Sequence, residues 1–148
     1  MKISVGSDER PNVVDTVLQY LEEDGHDVLC HAPKTGETLP WPRVAQQVAE
    51  DVVQGRAEEG ILFCWTGTGV SIAANKVPGV RAALCVDAET ARGARLWNNA
   101  NVLCLSLRLT TEALVKEILE AWLNTHYQPN PEDDACLAQV EALDIHRR

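Results

Sequence analysis

The chain has 148 residues, 45% of them hydrophobic and 24% charged, a balance typical of a folded globular protein. Its formal net charge of −9 argues against binding along a DNA or RNA backbone. No apolar run approaches the roughly 20 residues of a membrane span, and the first residues lack the apolar stretch of a signal peptide. Five scattered cysteines without a CxxC pair favour reduced thiols, so we expect a cytoplasmic protein without nucleic-acid or membrane partners.

Short apolar runs, typical of strands, alternate along the chain with segments whose apolar residues recur at helical spacing. Short apolar segments predict strands at residues 2–5, 26–31, 60–65, 80–86 and 101–106. Apolar residues at helical spacing predict helices near residues 13–21, 44–53, 70–75, 88–97 and 112–123. Thr110 is expected to cap the last of these, because a side-chain hydroxyl can accept a hydrogen bond from a free backbone amide. Strands that alternate with helices imply a mostly parallel sheet.

The C-terminal part of the chain is expected to be less firmly attached than the rest. A linker rich in Pro and Asn at residues 128–131 precedes a last predicted helix over residues 132–145. We therefore predict one domain over residues 1–148, in which residues 128–148 form a C-terminal linker and helix.

The segment FCWTGTGVSIAANK, residues 63–76, combines a thiol with hydroxyls and glycines. Ligands of such sheets bind outside the carboxyl ends of the strands, and Cys64 falls at such an end. Backbone amides just before a helix favour anions, including a thiolate. The neighbours that offer hydroxyls or permit close backbone approach are Thr66, Gly67, Thr68 and Gly69. The segment could cradle an anion, act on a neighbouring carbon, or hold a buried cysteine in a tight turn.

The stretch GILFCWTGTGVSIAANKVPGVRAALC resembles the central segment of the ribose-5-phosphate isomerase B family, which includes the galactose-6-phosphate isomerase subunits. VGSDERP and NNANVLCLSLR resemble two other blocks of that family, and the similarity covers nearly the whole chain. The resemblance implies a Rossmann-like, three-layer α/β/α sandwich with a five-stranded parallel sheet. It also implies a homodimer or tetramer with active sites at the interface, and isomerisation of sugar phosphates without a metal or cofactor.

The resemblance also assigns roles to individual residues. Cys64 corresponds to the base that moves a proton between adjacent carbons through an enediolate, and Thr66 with the amides of residues 67–69 would stabilise the developing charge. Asp8 and Asn98 correspond to residues that bind substrate oxygens. The candidate catalytic residues are therefore Cys64 and Thr66, and the candidate substrate-binding residues are Asp8, Arg10, Gly67, Thr68, Gly69, Asn98 and Arg108.

The chain departs from the family pattern at the positions that bind phosphate and open the sugar ring. Glu9 and Trp97 stand in place of histidines that bind phosphate and open the ring, and Ala135 and Gln139 stand in place of two arginines. Pro40-Trp41-Pro42 replaces Asp-Tyr-Pro. Cations that could compensate are Arg10, Arg43, Arg92 and Arg108. We therefore predict an aldose–ketose isomerase that acts on a small sugar or sugar phosphate and is not optimised for ribose 5-phosphate. The alternative is a non-catalytic sugar-binding protein or the partner subunit of a heteromeric isomerase.

Several other residues have a structural as well as a functional interpretation. Trp65 and Trp97 either pack at a dimer interface or narrow the pocket for a smaller substrate. His31 either reaches the site or has a core or surface role. Arg92 and Arg95 are interpreted as solvated charges on a helix. The cysteines inside predicted strands are interpreted as small buried hydrophobes; they are Cys30, Cys85 and Cys104.

Overall fold

The computed structural model describes residues 1–145 and contains one parallel sheet of five strands in the order β2-β1-β3-β5-β4. The strands are β1 (Lys2–Ser7), β2 (Asp27–His31), β3 (Glu59–Cys64), β4 (Ala82–Leu84) and β5 (Val102–Ser106). The helices are α1 (Asn12–Glu23), α2 (Trp41–Val53), α3 (Thr68–Ala74), α4 (Ala88–Asn98), α5 (Glu112–Asn124) and α6 (Pro131–Ile145). None of these helices is long and apolar enough to cross a membrane. The predicted five-stranded parallel sheet is confirmed, while residues 146–148 of the predicted C-terminal segment lie outside the described residues.

Helices cover both faces of the sheet, so successive side chains of the central strands enter two different apolar clusters. Ile61 and Phe63 of β3 pack with α1, α4 and α5 on one face. Leu62 and Cys64 pack with α2 and α3 on the other face. β3 and β5 are buried along their whole length because both of their faces are covered. The predicted three-layer sandwich is therefore confirmed, and Cys64 belongs to its α2–α3 side.

The topology predicts a crevice where the loops after β1 and β3 leave the carboxyl ends of these strands. β1 and β3 are neighbours, yet β1 leads into α1 on one face and β3 leads into α3 on the other. Ligands of open α/β sheets bind at such a divergence. Asp8 directly follows β1 and Cys64 ends β3, so the two residues flank the crevice. The backbone amide of Asp8 also donates to the carbonyl oxygen of Phe63 at 3.4 Å.

The element bounds differ from the sequence-based expectation in particular places. β4 spans only Ala82–Leu84, and it is an edge strand that pairs with β5 alone. α2 begins at Trp41, earlier than expected, since a proline in the first helical turn needs no hydrogen-bond partner for its nitrogen. The cap of α5 is Thr111, whose hydroxyl accepts the amide of Leu114 at 3.0 Å. The expectation that Thr110 caps this helix is therefore wrong.

A buried ion pair connects α4 and α5 to the start of β3. Arg95 Nη2 donates to Glu59 Oε1 at 2.6 Å, and Trp122 Nε1 donates to Glu59 Oε2 at 2.7 Å. The guanidinium also lies 5.0 Å from the centroid of the Trp122 ring. Because Arg95 is only 8% exposed, its interpretation as a solvated charge is wrong. Arg92 is exposed and pairs with Glu89, as expected for a solvated charge.

His31 belongs to a second polar cluster, between β2 and α2. Its Nε2 lies 2.7 Å from Asp51 Oδ2, which also accepts the hydroxyl of Ser4 at 2.8 Å. Arg56 Nε donates to the other carboxylate oxygen at 2.7 Å. Burial alone would raise the pKa of Asp51, but these hydrogen bonds together hold that pKa below its ordinary value. His31 is partly buried and its imidazole is bonded to Asp51, which favours the structural interpretation of this residue over a role in the site.

The cysteines other than Cys64 fall into two groups. Cys85 and Cys104 are buried, and burial raises the pKa of Cys85 to about 12 and that of Cys104 still further, so both remain thiols at neutral pH. Cys136 is exposed on α6. Cys30 is also exposed, because β2 is an edge strand, so its interpretation as a buried hydrophobe is wrong.

Candidate active site

Cys64 is the last residue of β3 and lies at the carboxyl edge of the sheet. It is only 4% exposed, and its side chain packs in the apolar cluster formed with Val44 of α2 and Val70 of α3. Its carbonyl oxygen accepts the amide of Leu107 at 2.9 Å, which joins the loops that follow β3 and β5. The thiol is therefore held on the α2–α3 face, directly below the loop that leads into α3.

That loop turns sharply at Gly67, where the backbone is left-handed with φ +76°. A Cβ at this position would lie 2.6 Å from a methyl carbon of Leu84 and 2.9 Å from the carbonyl carbon of Leu105, so only glycine fits. The hydroxyl oxygens of Thr66 and Thr68 lie 2.6 Å apart, and both side chains are exposed. The structure thus brings the predicted hydroxyls and glycines together beside Cys64.

Trp41, the first residue of α2, stands against the other end of this loop. A Cβ on Gly69 would lie 3.1 Å from two atoms of the Trp41 ring, so the indole rests against the glycine backbone. The amide of Leu39 donates to the carbonyl oxygen of Asp8 at 2.9 Å, which ties the start of α2 to the loop after β1. The sequence alone gave Trp41 no role in the site. Its position between two prolines is the feature that could have indicated a fixed side chain there.

Asp8 supplies an acceptor that is not used inside the chain. Its Oδ1 is buried and has no hydrogen-bond partner among residues 1–145. Burial and, second, the negative charge of Glu9 raise the pKa of Asp8 above its ordinary value. Buried polar atoms of native proteins are nearly always hydrogen-bonded. This oxygen is therefore suited to accept a hydrogen bond from a ligand hydroxyl.

The two candidate arginines differ in how far their charge is already used. Arg10 donates to the carboxylate of Asp15 at 2.9 and 3.0 Å and to the carbonyl oxygen of Pro33 at 3.4 Å. Arg108 is exposed at the carboxyl edge, where its amide donates to the carbonyl oxygen of Trp65 at 2.9 Å. Within the described part of the chain its guanidinium forms no ion pair. Arg108 is therefore the more available of the two for an anionic ligand.

Asn98 does not join these residues within one chain. It is the last residue of α4, which starts after β4 at the carboxyl edge and runs back toward the amino edge. Together with Trp97 it lines a groove between β4 and α6, next to Leu137. The structure thus places Cys64, Thr66, Thr68 and the loop glycines at the carboxyl ends of the strands. It places Asn98 at the amino ends.

The groups at the carboxyl edge have complementary chemistry. A cysteine side chain can take a proton as the thiolate and return it as the thiol, whereas a free carboxylate oxygen can accept a hydrogen bond from a hydroxyl group. Hydroxyls and backbone amides can stabilise an oxygen on which negative charge develops. Within residues 1–145, no three His, Cys, Asp or Glu side chains are grouped as ligands of a metal ion would be. The arrangement suits proton transfer between adjacent carbons of a polyhydroxy substrate.

Comparisons with known proteins point to the same chemistry. A galactose-6-phosphate isomerase subunit of Clostridium acetobutylicum is 35% identical over 144 residues, which are 97% of this chain and 83% of that protein. A D-erythrulose-4-phosphate isomerase of Pectobacterium atrosepticum is 38% identical over 130 residues, which are 86% of each chain. The structure of ribose-5-phosphate isomerase B from Clostridium thermocellum matches with a TM-score of 0.95 at 34% identity, and both chains are covered completely.

The fold and these relatives define the class of the protein, which is an aldose–ketose isomerase. The model of the ribose/galactose isomerase family matches residues 3–139. The chain belongs to this family.

Proposed function

We propose that the chain interconverts a small aldose phosphate and the corresponding ketose phosphate, with Cys64 as the base. The observation that carries this proposal is that three kinds of group lie at or just after the carboxyl ends of the neighbouring strands β1 and β3. These groups are the thiol of Cys64, the paired hydroxyls of Thr66 and Thr68, and the unpartnered carboxylate oxygen of Asp8. The thiol supplies the base, the threonine hydroxyls supply donors to the oxyanion, and the carboxylate oxygen supplies the acceptor for a substrate hydroxyl.

In the proposed reaction, the Cys64 thiolate takes the proton from C2 of the aldose. The electrons of that C–H bond form a C1=C2 double bond, and the former carbonyl oxygen O1 takes the negative charge. The hydroxyl of Thr66 and the amides of residues 67–69 stabilise this enediolate. Cys64 then returns the proton to C1, while the proton on O2 moves to O1 and leaves the carbonyl at C2. Atoms and electrons balance with no co-reactant.

The site is proposed to be completed by a second copy of the chain. Asn98 lies at the opposite edge of the sheet from Cys64, so it can meet a substrate at Cys64 only across an interface. Large apolar side chains are exposed near both edges, and Trp65 is 58% and Trp97 is 56% exposed. Exposed apolar patches of this kind mark protein interfaces, and a two-fold dimer would cover them on both copies at once. A homodimer, alone or within a tetramer, is therefore expected.

The preferred substrate is proposed to be a four-carbon, open-chain sugar phosphate and not ribose 5-phosphate. Trp97 stands where the family has its ring-opening histidine, and an indole N–H can donate a hydrogen bond but cannot shuttle a proton. Ala135 and Gln139 supply no positive charge, and Arg10 is already paired with Asp15. Each missing charge-assisted contact costs about 1.5–3 kcal/mol of binding. A tetrose 4-phosphate cannot close a furanose ring because its O4 carries the phosphate, and one relative is named as a D-erythrulose-4-phosphate isomerase.

Isomerisation in heavy water tests both the chemistry and the substrate. Erythrose 4-phosphate, ribose 5-phosphate and their unphosphorylated parents are each incubated with the protein, and incorporation of deuterium at carbon is followed together with turnover. The value of kcat/KM for the four-carbon phosphate should exceed that for ribose 5-phosphate by at least about tenfold, which is about 1.4 kcal/mol. Trp97→His should raise the turnover of ribose 5-phosphate. Efficient wild-type isomerisation of ribose 5-phosphate, with saturation at millimolar concentration or below, would overturn the substrate proposal.

A second candidate is a subunit that acts only with a different partner chain. It is favoured by the likeness to a galactose-6-phosphate isomerase subunit and by the absence of cationic side chains at Ala135 and Gln139. The purified chain distinguishes the two candidates. Isomerisation by this chain alone supports the enzyme, whereas a folded chain that exchanges no proton of any sugar phosphate supports the subunit.

A further inference from the structure

Trp41 stands on the Cys64 side of the sheet, at the edge where the substrate is proposed to bind. Its helix, α2, forms the same apolar cluster as Cys64, and its first turn lies beside the loop that follows β3. Three consecutive ring atoms, Cδ2, Cε3 and Cζ3, lie 3.1, 3.1 and 3.3 Å from the position of a Cβ on Gly69. These atoms form the edge of the indole that faces away from Nε1. One edge of the ring is therefore fixed against the loop, while 42% of the residue remains exposed.

The backbone around Trp41 is held on both sides. Pro40 precedes it in an extended conformation, and a second proline occupies the first turn of α2. Proline fixes φ, so both neighbours of Trp41 restrict where its side chain can go. The Leu39 amide is bonded to the carbonyl oxygen of Asp8, on the far side of the crevice from Gly69. Residues 39–41 thus connect the two loops that carry the proposed chemistry, and the indole is the part that contacts the loop after β3.

We propose that Trp41 is the specificity-determining wall of the site and limits the length of the substrate chain. The proposal rests on the proposed function. Relatives in this family are named for substrates of four, five and six carbons, although they share one fold. Side chains around the common loop must therefore set the length. An indole is a large, rigid group with only two rotatable side-chain bonds, and one held against Gly69 removes volume that a longer sugar needs.

The expected size of the effect follows from how strongly enzyme pockets discriminate between substrates that differ by one carbon. One carbon more or less in a close-fitting pocket changes kcat/KM by about 10–200-fold. Removing the indole should therefore favour longer substrates over the four-carbon one. A residue with a merely structural role would instead lower the activity toward all lengths by the same factor.

The test measures kcat/KM for erythrose 4-phosphate, ribose 5-phosphate and galactose 6-phosphate in the wild type and in variants. In Trp41→Ala the six-carbon to four-carbon ratio should rise at least about tenfold, and in Trp41→Tyr it should rise less. The matched control is Val53→Ala, at the far end of the same helix, where the exposure is 41% against 42% for Trp41. That control should leave the ratio unchanged. A ratio that stays at the wild-type value in Trp41→Ala and Trp41→Tyr, both with native circular dichroism, would overturn the proposal.

A double-mutant cycle tests whether the wall acts through Gly69. The added methyl of Gly69→Ala would lie 3.1 Å from the indole and must push the ring by a few tenths of an ångström. Its effect on the length ratio should therefore be smaller in the Trp41→Ala background than in the wild type. An equal effect in both backgrounds would contradict the contact as the cause.

The experiment distinguishes a failure of the proposed function from a failure of the proposal for Trp41. If the wild type isomerises none of the three compounds, the proposed function fails, and calorimetric binding of the same compounds still tests the wall. A gain in relative affinity for the six-carbon compound in Trp41→Ala supports the wall. Equal relative affinities in the wild type and the variant, or no binding of any compound, overturn it.

Discussion

Within one chain, Cys64 and Asn98 lie at opposite edges of the sheet, one at the end of β3 and the other at the end of α4. Strands of five or six residues are about 17–20 Å long, so the length of the sheet separates the two side chains. A site that uses both residues must take one of them from each of two chains. Residues contributed by different chains can be recombined in hybrid dimers.

Mixing Cys64→Ala chains with Asn98→Ala chains should restore activity that each variant lacks alone. Random pairing gives about one half hybrid dimers, and one of the two sites in each hybrid has both native residues, so about a quarter of the wild-type activity should return. The two variants are unfolded together, refolded and assayed. The composite site is rejected if hybrids form by native mass spectrometry without recovering activity, or if Asn98→Ala alone is fully active.

Cys64→Ala should lower kcat at least about 100-fold, since a positioned base contributes about 10²–10⁴-fold to proton transfer. Cys64→Ser should be nearly as impaired, because a hydroxyl is a far weaker base than a thiolate. Cys30→Ala is the matched control, since Cys30 is exposed on the edge strand β2. Turnover and far-ultraviolet circular dichroism are measured for all of them. Equal losses in Cys30→Ala and Cys64→Ala would remove the base assignment.

Asp8→Asn should make the protein more stable and the enzyme less active. Burial and Glu9 raise the pKa of Asp8 in the folded state, so its ionised form destabilises the fold. That penalty is complete above the folded pKa and absent below the ordinary value of 3.8, so the gain in free energy of unfolding should be present at neutral pH and disappear in acid. Activity should fall because an amide oxygen is a weaker acceptor than a carboxylate. Urea unfolding at pH 7 and near pH 3 measures the difference in free energy of unfolding between Asp8→Asn and the wild type. A variant less stable than the wild type at pH 7 would contradict the claim that Oδ1 has no hydrogen-bond partner within the described residues.

Arg95→Met should lower the free energy of unfolding by about 3–5 kcal/mol, because it leaves the buried carboxylate of Glu59 without its countercharge. Adding Glu59→Gln should recover part of this loss, since the stranded charge is then removed as well. Arg92→Met is the matched control on the same helix, with its guanidinium in solvent beside Glu89, and it should change stability little. Denaturant titrations of the three variants are compared. Similar losses in Arg92→Met and Arg95→Met would contradict the buried pair.

The sequence predicted those features that depend on a residue and its neighbours along the chain. Alternating apolar runs predicted the five strands, and Cys64 was expected at a strand end because a nearly unbroken apolar run stops there. The cap of α5 was misplaced by one position because Thr110 and Thr111 both offer the hydroxyl that a cap needs. Local chemistry alone does not separate two adjacent residues of the same type.

The features that were missed depend on contacts between distant parts of the chain. Arg95 is buried because Glu59 and Trp122, from other elements, supply a charge and an aromatic ring around it. Cys30 is exposed because β2 lies at the edge of the sheet, and strand order is not written in the residues of β2 itself. The contact of Trp41 with Gly69 likewise joins elements that are separated by a whole strand.

The weak attachment of α6 bears on how this enzyme can change during evolution. Most of its side chains are exposed, and its described links to the rest of the chain include the hydrogen bond from the Gly79 amide to Asp144 at 2.8 Å. Substitutions such as those at Ala135 and Gln139 therefore alter charge without disturbing the packed layers. Selection can therefore change the charge of this exposed helix one residue at a time, without a cost to the packing around Cys64 and its loop.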